Sequence, residues 1–152
     1  MTLNLINDFN FKKYLEDNTK DYRGKYSDQI RLLPELYDLI CNLLESATLP
    51  LKMRADFFLA IGYLFYPNDL YSEEKHGAAG FIDDLMLLLV VLRKCSIQEG
   101  INIEYLEKHT SSLNYSLKDL LTTDFDKISN ENKELFDELL KITGLRFYYK
   151  DY

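Results

Sequence analysis

Tryptophan is absent from this chain of 152 residues, cysteine occurs only twice, proline three times and glycine six times. So little glycine and proline excludes collagen-like and low-complexity architectures and leaves long stretches free of helix breakers. The cysteines, Cys41 and Cys95, are far apart, each lies in an apolar stretch, and no CxxC occurs. That excludes a disulfide framework and a cysteine zinc site, and predicts two reduced, buried thiols in a cytoplasmic protein. Long apolar runs are lacking too. The longest, from Leu85 to Leu92, is closed by Asp83-Asp84 before it and Arg93-Lys94 after it. A spanning helix needs about 20 apolar residues, so this run predicts a core helix covered on all sides. Met1 to Asp8 carry no basic region and no long apolar region, and no signal peptide is expected.

Positive charge is also scarce. Lys and Arg number 18 against 25 Asp and Glu, a net charge of −7. Residues 1–50 hold six basic and eight acidic side chains, 51–100 five and seven, and 101–152 seven and ten. No third of the chain offers the basic patch that displaces counterions from phosphates, so direct nucleic-acid binding is not expected. An acidic exterior favours solubility and steers basic partners toward it. Neither GxSxG, GxxxxGK[ST], GxGxxG nor HExxH occurs, and no cofactor is expected.

What is present is helical periodicity. Apolar residues make up 47% of the chain, enough at this length for one core without metal or disulfide. The pattern predicts a single all-α domain over 1–152, with five to seven helices around a central antiparallel hairpin. The N-terminal helices fall in 8–46. A short one passes through Phe9, Phe11, Tyr14 and Leu15. A longer one, capped by Ser27, passes through Leu32, Leu33, Leu36, Tyr37, Ile40, Leu43 and Leu44, with Pro34 at its start or at a kink. The hairpin falls in 50–96. Its first helix, capped by Thr48, carries Met53, Phe57, Ala60, Ile61 and Leu64, and its second covers about 79–95. Further helices fall in 102–143: one over Ile103–Lys108, one capped by Ser116, and one capped by Asn130 and ended by Gly144. An aromatic tail follows.

Residues 54–94 contain Tyr63-Leu64, then Pro67-Asn68-Asp69-Leu70, then Gly80-Phe81-Ile82-Asp83-Asp84, then the apolar run with Arg93 after it. This combination resembles the YkvA-like family, small bacterial and archaeal helical proteins whose domain has no assigned function. The chain departs from the family between these elements, where Tyr71 to His76 replaces an apolar Ile-Pro-Asp type stretch. The resemblance implies a helical hairpin, with Tyr63, Pro67, Asp69, Gly80, Asp83 and Asp84 as its structural motif, and no reaction to inherit.

An antiparallel hairpin gathers Asp69, Asp83 and Asp84 at its bend. Arg54 lies 12 residues before Tyr66, about 18 Å along a helix. It is expected at the far end, near Arg93, Lys94 and Cys95. Three readings of the acids follow. They cap backbone N–H groups in the loop and the first helical turn; they hold a loop that a partner protein recognises; or Asp69, Asp83 and Asp84, with His76, bind a divalent metal. Tyr63, Phe65 and Tyr66 are expected mainly in the core. In the tail, Phe147, Tyr148, Tyr149 and Tyr152 either dock on their own domain or contact a partner. The leading expectation is a non-enzymatic acidic interaction protein, of the kind that neutralises or regulates a bacterial toxin or defence effector. A membrane-associated accessory protein and a metal-dependent enzyme are the alternatives, and a homo-oligomer is compatible with the first.

Overall fold

The computed structural model describes residues 10–47, 49–65, 80–110 and 113–145. The protein is all-helical, and no strand occurs among those residues. α1, Phe11–Thr19, begins at Asn10, whose Oδ1 accepts a hydrogen bond from the Lys13 amide at 3.0 Å. α2 is a single turn, Ser27–Ile30, and α3 runs over Leu33–Glu45. The expected single helix from Ser27 is thus split at Arg31 and Leu32. Pro34 sits in the first turn of α3, where its missing N–H leaves no bond unmade. Ser27 does not cap: the residue before α2 is Tyr26, held left-handed at φ 59° and ψ 29°.

α4, Leu51–Leu64, and α5, Ile82–Arg93, form the hairpin. Every residue of α5 is buried, as its unbroken apolar run requires. The helix lies at the centre and touches α2, α3 and α4. After Arg93 the helix widens by one residue over Lys94–Gln98, where the Glu99 amide reaches back to the Lys94 carbonyl at 3.1 Å. The expected continuous helix over 79–95 is therefore shorter at its start and changes pitch at its end.

Asn102 caps α6, Ile103–Glu107, and Ser116 caps α7, Leu117–Asp119. A second widened turn, Leu120–Asp124, leads into α8, Phe125–Glu131. α9, Lys133–Thr143, begins at Asn132 rather than Asn130, which lies within α8. It ends at Gly144, left-handed at φ 72°, a conformation glycine adopts without the penalty a side chain brings. α8 and α9 also pack on α5. One cluster of buried side chains joins Phe11 and Leu15 of α1 to Phe136 and Leu139 of α9.

Candidate functional site

The N-terminal end of α5 holds the predicted acids. Gly80 is buried beside them. Asp83 and Asp84 are both buried. Tyr63, the last residue but one of α4, donates its hydroxyl to Asp83 Oδ2 at 2.8 Å. The other oxygen of Asp83 accepts the Asp84 amide at 3.0 Å. Both carboxyls lie in the first turn of α5, where exposed N–H groups and the positive end of the helix dipole favour negative charge. Pro67, Asp69, His76, Phe147, Tyr148, Tyr149 and Tyr152, like Tyr66 and the Thr48 cap, lie outside the described residues. Among the described residues no three His, Cys, Asp or Glu side chains gather closely enough to hold a metal ion.

The C-terminal end carries the opposite charge. Arg93 and Lys94 are nearly buried. Arg93 Nη1 donates to Asp126 Oδ1 at 2.7 Å and to the Leu121 carbonyl at 3.2 Å, and its guanidinium lies 4.6 Å from the Phe125 ring centre. Lys94 Nζ meets Asp56 Oδ2 at 2.8 Å, and Lys52 meets Glu99 at 2.7 Å. These pairs fix the antiparallel register of the hairpin at the end remote from Tyr63 and Asp83.

Arg54 does not join that cluster. Its guanidinium donates to the Leu44 carbonyl at 2.6 Å, to the Leu49 carbonyl at 3.2 Å and to the Ser46 carbonyl. α3 ends at Glu45, and the last carbonyls of a helix lack partners within it. The short connection to α4 brings Arg54 beneath them.

Other titratable groups are structural. Burial pushes the Cys95 thiol up to about 12, and burial also raises Cys41, which sits half-buried on α3. Burial raises Tyr37 to about 12. Tyr115, donating to Asp124 at 2.6 Å, is raised to about 12 first by that bond and then by burial. His109 is a local contact, with Nδ1 2.9 Å from the Tyr105 carbonyl. Tyr26, strained in its backbone, donates to Glu131 at 2.7 Å and accepts from Asn132 at 3.0 Å. It borders a polar hollow of about 250 Å³ edged by Lys25, Asp28, Asp124 and Lys127.

One feature escaped the sequence reading. α4 buries Met53, Phe57, Ala60 and Tyr63 but turns a second apolar face outward. Leu51 is 83% exposed, Phe58 61%, Phe65 50% and Leu59 39%. Phe65, expected in the core, instead rests one face on Phe11, their ring centres 4.3 Å apart. Helical spacing identifies which residues share a face but not whether a second face is covered, so this helix read simply as core. No described helix is long and apolar enough to cross a membrane.

No family model matches the chain, and no solved structure matches it. The chain is similar to the uncharacterized protein ORF9 of Methanothermobacter thermautotrophicus, with 34% identity over 140 residues that cover 90% of this chain and 91% of that one. At that identity and coverage, the chain belongs to the same family as the archaeal ORF9 protein.

Proposed function

We propose that this chain is a non-enzymatic, acidic, all-helical protein-interaction module. The observation that carries this reading is the outward face of α4. Leu51, Phe58, Leu59 and Phe65 leave on the order of 400 Å² of apolar surface facing water. A patch of that size matches the largest one on a typical soluble monomer, which is often the functional one. The net charge of −7 adds a long-range preference for basic partners. A basic toxin, nuclease or defence effector is the partner class that this size and charge fit. The YkvA-like resemblance over 54–94 belongs to the same reading, since it supplies a hairpin without a reaction.

The test is co-purification of the tagged full chain from its native host at native salt, beside a Phe58→Glu variant. The parent is expected to retain a protein, either a different chain or an untagged copy of itself, and the folded variant to release it. Recovery of the parent alone as a monodisperse monomer in repeated trials defeats the reading. Flotation of the parent with liposomes, lost in the variant, reassigns the face to a bilayer and defeats it as well.

A further inference from the structure

We infer that the outward face of α4 is covered by the α4 of a second copy of this chain, packed antiparallel about a two-fold axis near Phe58. The inference rests on the interaction reading above and assigns the α4 face itself to self-pairing, which leaves the acidic exterior for a basic partner.

The exposed stripe is Leu51, Ala55, Phe58, Gly62 and Phe65, at intervals of four, three, four and three residues. That is the 3.5-residue period of a helix seam that stays against a partner helix. Large and small residues alternate along it. The order reads nearly the same from either end, so two copies in opposite directions match. Leu51 faces Phe65 of the second copy, Ala55 faces Gly62, and Phe58 faces Phe58. A two-fold interface requires such a self-complementary patch.

Gly62 points to the same occupant independently. It lies inside α4, and glycine is the poorest helix former after proline. A Cβ built on it meets no described atom within 4 Å. Nothing within the described fold therefore asks for a glycine there. A second helix does: a small residue at 62, with Ala55 opposite, leaves a hole for the neighbouring Phe58 side chain of the second copy.

The direction follows from the ends of the stripe. Phe65 is flanked by Phe11, and Phe11 stacks on Tyr14 at 5.6 Å. Parallel pairing would set the two aromatic ends against each other and the two leucines at the far end, forcing a wedge. Antiparallel pairing sets a leucine against an aromatic cluster at both ends and opposes the helix dipoles. The two apolar faces supply on the order of 800 Å² together, about half of a standard interface of roughly 1,600 Å², which is the size of a weak, concentration-dependent dimer. The pairing leaves most acidic side chains of both copies outward.

Sedimentation velocity over a dilution series of the full chain decides the matter. The parent is expected as a dimer that tightens with salt, because salt screens repulsion between two copies of charge −7. Phe58→Glu and Gly62→Leu are each expected to sediment as monomers while far-ultraviolet circular dichroism shows retained helix. In a Cys41→Ser background with mild oxidant, Phe58→Cys links to itself. Leu51→Cys links to a copy carrying Phe65→Cys but not to another Leu51→Cys. A monomeric parent, a dimer untouched by Phe58→Glu, or Leu51→Cys linking to itself overturns the inference. A monomer that still captures a different protein through Phe58 overturns self-pairing but leaves the interaction reading. A monomer that captures none overturns both.

Discussion

At its N-terminal end α5 holds two carboxyls, Asp83 and Asp84; at its C-terminal end it holds two cations, Arg93 and Lys94. The signs suit the helix dipole at both ends, but the means of burial differ. Asp83 is met by a neutral hydroxyl, that of Tyr63, only 20 residues away in the same hairpin. Arg93 and Lys94 are met by full charges drawn from two different helices, Asp126 of α8 and Asp56 of α4. Among the described residues, the acid end therefore joins the two helices of one hairpin, whereas the basic end also ties that hairpin to the C-terminal helices. Side chains of Asp126 and Asp56 are 53% and 20% exposed, so the basic end keeps part of its charge near water.

Cutting between the ends gives the largest effect. Leu88→Ala is expected to lower stability by about 2–5 kcal/mol in urea unfolding, because the site is enclosed all round and cannot collapse easily. A loss below about 1 kcal/mol would mean that α5 has an open side. Lys94→Met comes next, at about 3 kcal/mol, because it leaves the largely buried Asp56 without its cation. At the opposite end, Tyr63→Phe takes one donor from a buried carboxyl and is expected to cost about 1.5–2 kcal/mol. Arg93→Met is expected to cost less, about 1 kcal/mol, because Asp126 is half in water and recovers solvation. Equal losses for Lys94→Met and Arg93→Met would show that exposure of the partner does not set the cost.

Alkali acts through three further groups. Cys95 ionises near 9.0 when unfolded and near 12 when folded, and Tyr37 and Tyr115 near 10.0 and near 12. Between those values the folded chain holds protons that the unfolded chain has lost. Stability is thus complete below pH 9 and falls as pH rises toward 12. Thermal midpoints across that range check the slope, and Cys95→Ala is expected to flatten its onset.

Much of this frame was legible from residue order. The run from Leu85 to Leu92 specified a helix buried on all sides, and its acidic and basic flanks specified the two ends. Ser116 and Gly144 also marked helix boundaries correctly. The break at Arg31 and Leu32 was legible only through Pro34 at the start of α3, and the two widened turns were not legible, because no glycine or proline marks them and tertiary packing decides their pitch. Arg54 lies at the expected end of the hairpin, but its partners were not legible, because they are carbonyls, which carry no signature in a side-chain pattern. At the candidate site the burial of an acid at the start of α5 follows from the apolar run after it, whereas the Tyr63 partner of Asp83 was not legible. The exposed α4 face did not emerge, because an apolar residue reads alike whether a neighbour covers it or not.

The corner between α3 and α4 has a consequence for mutation. The acceptors of Arg54 are the carbonyls of Leu44, Ser46 and Leu49, main-chain groups that no side-chain substitution removes. Replacing Asp56 or Asp126 loosens the basic end of α5, yet takes nothing from this elbow. The angle of the joint between the third and fourth helices is therefore set by one side chain, that of Arg54.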